Sequence, residues 1–241
     1  MSTLHLPRGV ADMEDMLRYA RNLGSITREE QHRLSCSRVC IVGCGGLGGF
    51  LAECLGRLGV GHLTVVDGDR FEITNLNRQL LSAEDNLGLS KAEEAKKRLA
   101  RINPSVHVTA VTEYLTRENA ALLLQGHDLV LDALDSIPDR LMLQRSCAQL
   151  RLPFVHGAVE GWFGQVTTVL PGDDALTRLC PGYSGEEAGE STSGTLSFAP
   201  AFIASVQAAE GVKLLLGKEP TLRGRVLYAD LLFSRFDILP V

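Results

Sequence analysis

Between Val39 and Asp135 the chain sets five short patterns in a fixed order. They are Gly43-Cys44-Gly45-Gly46-Leu47-Gly48, Asp67-Gly68-Asp69, Thr74-Asn75-Leu76-Asn77-Arg78-Gln79, Lys91 and Leu131-Asp132-Ala133-Leu134-Asp135. Glycines at 43, 45, 46 and 48 let backbone approach a phosphate, and a helix opening there turns free N–H groups toward the anion. Asp67, ending the next apolar stretch, is placed for a ribose hydroxyl. That much suits NAD, FAD and ATP alike. Arg78 and Lys91 add two cations at the edge where a triphosphate would project, and fixed cations stabilise charge that builds during displacement at phosphorus. Asn75 can hydrogen-bond sugar or phosphate, and Asp135 across the crevice can hold magnesium.

Each residue alone admits a plainer reading. The glycines could make a tight turn without a ligand, Arg78 could cap a loop, Lys91 could sit in solvent, and Asp135 could cap the helix opened by Pro138. Against all of these together stands their common position at the carboxyl ends of successive strands.

The elements that position them follow from pattern. Asp12 to Leu34 reads as one or two short polar helices, Arg38 to Val42 as a buried strand, and a helix runs from the glycine turn to about Leu58. Leu63 to Asp67 is a second strand. Lys91 to Ile102 has helical spacing, with Ala92, Ala95, Leu99 and Ile102 on one face. Val106 to Val111 alternates as a strand, Glu118 to Leu124 is helical, and Asp128 to Leu134 is a continuous apolar run suited to a strand covered on both faces. Pro138 to Leu150 is a helix with proline in its first turn, and Pro153 to Val159 is another strand. Strands alternating with helices predict an α/β, doubly wound, mostly parallel sheet. The pattern then changes: Phe163 to Leu170 and Arg225 to Leu239 read as antiparallel strands around the apolar helix Phe198 to Leu216. Pro171 to Gly194, rich in Gly, Ser, Asp and Glu, is expected to be a mobile loop. No internal repeat or linker interrupts residues 1–241, so one domain is expected.

Composition narrows the class. With 241 residues, 45% of them apolar, the chain can bury a sizeable core. A net charge of -5 gives no footing for a phosphate backbone, so nucleic acid is not an expected partner. No apolar run is long enough to span a membrane, and Met1 to Gly9 lacks a signal core. Six cysteines, none in a Cys-x-x-Cys pair, fit a reduced cytoplasm and give no case for structural zinc. His107, His127 and His156 read as lying at strand edges and lack metal-ligand spacing. Trp162 and Phe163 are expected to be core or dimer contacts.

From about Met16 to its end the chain resembles the MoeB/ThiF/HesA adenylyltransferases, relatives of the adenylation domain of ubiquitin-activating enzymes. The resemblance rests on Arg18-Tyr19-Ala20-Arg21 and the five patterns above. It continues in Pro153-Phe154-Val155-His156-Gly157-Ala158, Gly164-Gln165-Val166 and Ser205-Val206-Gln207-Ala208-Ala209-Glu210. It implies a Rossmann-like fold in which ATP and magnesium activate the C-terminal glycine carboxylate of a small ubiquitin-like sulfur carrier with a Gly-Gly tail, releasing pyrophosphate. In that likeness Gly46 touches the nucleotide and Asp67 the ribose. Thr74, Asn75, Leu76, Asn77 and Arg78 line the phosphates, Lys91 meets the α-phosphate, and Asp135 with Ser136 sits at the metal or nucleotide. Gly43, Gly45, Gly48 and Asp69 fall within the same nucleotide-binding set. The likeness further implies a homodimer in which Arg21 reaches into the partner's site.

Two departures limit it. Many members hold zinc with two Cys-x-x-Cys pairs, whereas Leu179-Cys180-Pro181 supplies one cysteine and nothing after it contains another. Four thiolates cannot be assembled, so no zinc site is expected. Gly189 to Gly194 also lacks the cysteine that many members use for a covalent link to the carrier, so adenylation without transfer is expected, with Cys180 as a leftover thiol. Two other classes compete. An NAD-dependent oxidoreductase would leave Arg78, Lys91 and Asp135 unexplained, and a non-catalytic scaffold for a ubiquitin-like protein would not need them.

Overall fold

A computed structural model describes residues 17–181 and 194–241. Thr27 opens the first full helix, α1 (Arg28–Cys36), with a reciprocal cap: its hydroxyl accepts from the Glu30 N–H, and the Glu30 carboxylate accepts from the Thr27 N–H. There follow β1 (Arg38–Val42), α2 (Gly46–Leu58), β2 (His62–Val66), α3 (Lys91–Ile102), β3 (His107–Val111), α4 (Ala120–Leu124), β4 (Leu129–Asp132), α5 (Ile137–Leu150) and β5 (Phe154–Glu160). The chain then forms β6 (Phe163–Val169), the short α6 (Ala175–Leu179), α7 (Phe198–Leu215), β7 (Arg225–Asp230) and β8 (Arg235–Pro240). Most expected element ends fall within two residues of these, β4 stopping at Asp132 rather than Leu134. The stretch Asp12 to Leu34 differs: its full helix begins only at Arg28, and residues 12–16 lie outside the described residues.

The eight strands make one sheet in the order β3-β2-β1-β4-β5-β6-β7-β8. β1 to β5 run parallel, and β6 to β8 are antiparallel. Leu51, Leu55, Leu99 and Ile203 cover one face through α2, α3 and α7. Leu124, Leu143, Cys147 and Leu176 cover the other through α4, α5 and α6. Because β1 lies between β2 and β4, the loops leaving β1 and β4 diverge to opposite faces and open a crevice at their carboxyl ends. No helix among the described residues is long and apolar enough to cross a membrane.

Two expectations need correction. The start of the stretch from Pro171 is anchored: α6 buries Ala175 and Leu176, the Gln144 carbonyl oxygen accepts from the Leu176 N–H at 2.9 Å, and its amide donates to Thr177 Oγ1 at 3.0 Å. Two small apolar residues and one buried glutamine suffice to dock it. The remainder of that loop, residues 182–193, lies outside the described residues. Of the two places expected for Trp162 and Phe163, core or dimer contact, the core is excluded: Phe163 is 53% exposed, and Trp162 is 38% exposed and lies against Phe198 with ring centroids 4.9 Å apart and planes tilted by 48°.

The Gln207–Glu210 turn in the middle of the long α7 pins the sheet. Glu210 is 2% exposed, accepts from Thr168 Oγ1 at 3.0 Å and the Leu222 N–H at 3.1 Å, and pairs with Lys213. Such a buried carboxylate is tolerable only with its partners in place. Glu210→Ala leaves two buried donors unpaired and is expected to lower unfolding free energy by about 2–3 kcal/mol. Lys213→Met keeps the two neutral donors but leaves the carboxylate buried without its cation, and should cost more, about 3–5 kcal/mol. Urea titration of both variants checks the difference.

Candidate nucleotide site

The glycine turn divides into two pairs with different duties. Gly43 ends β1 at φ +98°, and a Cβ there would lie 2.5 Å from the Ala133 carbonyl oxygen. A Cβ on Gly48 would lie 1.8 Å from the Gly43 oxygen. The fold itself requires glycine at both positions. A Cβ on Gly45 or Gly46 would meet only the Gln79 amide at 3.6 Å or Pro200 at 3.4 Å, ordinary contacts. Their missing side chains instead leave the first turn of α2 bare, and its N-cap, Gly45, has no side chain to offer. A helix N-terminus left open in this way attracts an anion.

Asp67 locks that turn to β2. Its Oδ2 accepts from the Cys44 N–H at 2.7 Å and its Oδ1 from the Asp69 N–H at 2.8 Å. Burial pushes its carboxyl above the usual range, against those two N–H groups and Lys91. Asp69 in turn accepts from Lys91 Nζ at 2.8 Å and from the Tyr114 hydroxyl at 2.5 Å. Lys91 is buried at the start of α3, so its ammonium is held at one place and little screened.

The Thr74–Gln79 stretch folds as a 3-10 turn, Ile73–Asn75, and the loop after it. Asn75 is buried, and its carbonyl oxygen is taken by the Glu72 N–H at 3.0 Å. Arg78 donates from one guanidinium nitrogen to the Thr74 oxygen at 2.8 Å and Asn77 Oδ1 at 2.9 Å. Asn77 donates to the Thr195 oxygen at 3.0 Å, joining this loop to the approach to α7. Thr74 is exposed and Leu76 half-buried. Gln79 is buried beside Gly45, and its Oε1 has no partner among the described residues.

Across the crevice Asp135 lies in the loop between β4 and α5, not at the strand's end. β4 stops at Asp132 because that side chain turns back to cap the next turn, accepting from the Leu134 N–H at 3.0 Å. Ser136, not Asp135, caps α5: its hydroxyl accepts from the Asp139 N–H at 3.3 Å and donates to Asp139 Oδ2 at 2.5 Å. Asp135 is left exposed, with no hydrogen bond or ion pair among the described residues. The phenol of Tyr114 is pushed up first by Asp69, with smaller contributions from Asp67 and Asp135. An unengaged carboxylate there fits a hard cation that takes its other ligands from phosphate and water.

Arg21 is not part of this cluster. Arg18 donates to the Ile102 oxygen at 3.0 Å, and the Tyr19 hydroxyl accepts from Asn103 Nδ2 at 2.7 Å. The Tyr19 ring also packs on Gly59, just past the C-terminal end of α2. The 13 residues of α2 separate that end from the glycine turn by about 20 Å. Cys180 lies at the end of α6, its thiol pushed up by burial and partly relieved by Arg140. The described residues contain no group of three Cys, His, Asp or Glu side chains suited to a metal.

Several participants escaped the sequence reading. Tyr114 follows β3 and reaches Asp69. Arg140 donates twice to the Leu134 oxygen, at 3.1 and 2.6 Å. His156 is buried rather than at an edge, and Nδ1 lies 2.6 Å from Asp132 Oδ2 while Nε2 lies 3.2 Å from Gln165 Nε2. Position just beyond a strand's carboxyl end was the available signal for Tyr114. For the buried trio the signal was a repeated polar residue on one face of otherwise apolar strands.

Residues 19–241 match the family model described as the ThiF family. The chain is 37% identical over 238 residues to the sulfur carrier protein adenylyltransferase of Thermus thermophilus, an alignment covering 95% of this chain and 88% of that protein. It is 36% identical over 235 residues to the SAMP-activating enzyme E1 of Haloferax volcanii, covering 95% and 86%. Among solved structures, the tRNA N6-threonylcarbamoyladenosine dehydratase of E. coli in complex with ATP superposes with a TM-score of 0.72 at 26% identity, over 88% of this chain and 98% of that one. With the family model spanning nearly the whole chain and relatives matched over most of their length, this protein belongs to the ThiF family.

Proposed function

We propose that this chain is an adenylyltransferase that joins AMP from ATP to the C-terminal glycine carboxylate of a small ubiquitin-like sulfur carrier, releasing pyrophosphate. The observation that supports the reading is the bare first turn of α2, with Lys91 held by Asp69, Arg78 held within its own loop and Asp135 left exposed in the loop after β4. The relatives named for sulfur carrier and SAMP activation support the carrier as substrate.

The carboxylate nucleophile is already ionised at neutral pH, so no general base is needed. The obstacle is electrostatic, because one anion must approach another. The α2 N-terminus would take the phosphates, and Lys91 and Arg78 would face the charge that develops as the carboxylate oxygen bonds to the α-phosphorus and pyrophosphate departs. Asp67 would receive the ribose, with Asp69 steadying Lys91. Asp135 would hold magnesium, which when bound would supply further neutralisation of the phosphate charge. Phe163 and Tyr228, exposed at 53% and 41% on β6 and β7, would offer the carrier an apolar surface. Arg21, remote from its own crevice, is the residue a second copy would contribute in a homodimer.

Two experiments test the site. Asp135→Ala should abolish carrier-dependent ATP–pyrophosphate exchange, a fall of at least about 100-fold, with the circular dichroism spectrum unchanged; ordinary exchange in that variant removes the assignment. Gly46→Ala adds a helix-favouring residue where there is room, so its melting temperature should hold or rise, while calorimetry shows ATP binding weakened about tenfold or more. Gly48→Ala, with no room for a Cβ, should instead lose about 2–3 kcal/mol of stability.

A further inference from the structure

We infer that His156 is a positioning residue: its imidazole, set between Asp132 and Gln165, holds the carboxylate that fixes the Leu134 peptide, and so fixes where Asp135 stands in the crevice. The inference rests on the role proposed above for Asp135.

Asp132 and His156 are 0% and 1% exposed, side by side in the register of β4 and β5. A buried carboxylate needs both oxygens satisfied. Asp132 has one oxygen on the Leu134 N–H and the other on His156 Nδ1. Gln165 presents its amide nitrogen, which can only donate, so His156 Nε2 accepts and the ring proton sits on Nδ1. Burial disfavours the imidazolium, outweighing Asp132 and reinforced by Arg140, which agrees with this neutral form.

What the trio holds is a short piece of backbone. The Ala133 N–H donates to the Val42 oxygen at 2.9 Å, the Leu134 N–H goes to Asp132, and the Leu134 oxygen takes two bonds from Arg140. Gln207 adds its amide to the Asp132 oxygen at 2.7 Å and the Val155 oxygen at 2.8 Å, closing β4 on β5. Asp135 is the next residue and has no bond of its own among the described residues, so its location is inherited from the Leu134 peptide. A buried carboxylate, even with its hydrogen bonds made, is seldom a net source of stability, since apolar groups of the same shape do as well. Its place behind a ligand-bearing loop is where outer-shell partners act on affinity and rate.

The test compares His156→Leu, which keeps the bulk and removes both bonds, with His156→Asn, whose amide nitrogen can stand where Nδ1 stands. Amide hydrogen exchange over residues 131–136 reads the loop, and ATP–pyrophosphate exchange reads kcat, the KM for ATP and the magnesium concentration at half-maximal rate. We expect the Leu134 amide of His156→Leu to exchange at least about tenfold faster. Its kcat should fall about 10–100-fold and its magnesium requirement should rise, with the KM for ATP within about threefold. His156→Asn should return both readouts to within about threefold of wild type. Unchanged protection in folded His156→Leu, or equal impairment of the two variants, overturns the inference. Should His156→Leu fail to fold, His156→Gln, whose amide falls nearer the Nε2 position, takes its place under the same outcomes. If wild type itself shows no pyrophosphate exchange, the proposed function fails, while the hydrogen-exchange comparison still decides the role of His156.

Discussion

Two loops meet where Gly43 lies against the Ala133 carbonyl, and the crevice exists because they meet there and nowhere further out. A side chain at 43 would lift the β4 loop away from the β1 turn, since its Cβ would come within 2.5 Å of that oxygen. The Gly48 Cα, in turn, is packed on the Gly43 carbonyl, which ties the first turns of α2 to the same point. From this contact the backbone diverges to opposite faces of the sheet, one branch into α2 and the other into α5. The space between them lies at the carboxyl ends of β1 and β4 and opens onto the bare helix N-terminus. Neither Gly45 nor Gly46 is demanded by packing, so their role is outward, toward whatever the turn receives.

Most charged groups of these loops are engaged before any ligand arrives: Asp67 accepts from the Cys44 and Asp69 N–H groups, Asp69 from Lys91, and Arg78 is bonded within its own loop. On the proposed reading a polyphosphate would meet one cation pinned by an ion pair and another pinned to its own loop, so little rearrangement would be required of either. Fixed charges of this kind act with least reorganisation as the transition state forms. Asp135 alone stands apart, exposed and unbonded among the described residues, yet its backbone neighbour is held by Asp132, Arg140 and Val42. A free carboxylate on a held backbone is a suitable ligand for a cation shared with phosphate.

Much of this was legible along the chain because its signals are local. The glycine turn sits between a five-residue apolar strand and an apolar helix, and Lys91 begins an amphipathic helix, so both could be placed without long-range information. The antiparallel turn of the sheet was visible in the alternation at Phe163 to Leu170. What could not be read was pairing across strands. Asp132, His156 and Gln165 come from β4, β5 and β6, and only strand register brings them into contact. The inward use of Asn75 and the capping by Ser136 were hidden for a different reason: a side chain suited to a ligand is equally suited to its own backbone. Arg21 was assigned to a partner's site by likeness alone, and its distance from its own crevice is consistent with that assignment.

The central claim is that this crevice brings a carrier's terminal carboxylate to the α-phosphorus of ATP. Intact-mass spectrometry of a small Gly-Gly-tailed carrier incubated with the protein, ATP and magnesium tests it most directly. The account predicts a mass gain of one AMP on the carrier, absent when the carrier's terminal carboxylate is amidated. A protein that binds ATP yet adds AMP to no carrier with a free carboxylate, or adds it equally to the amidated form, would contradict the account.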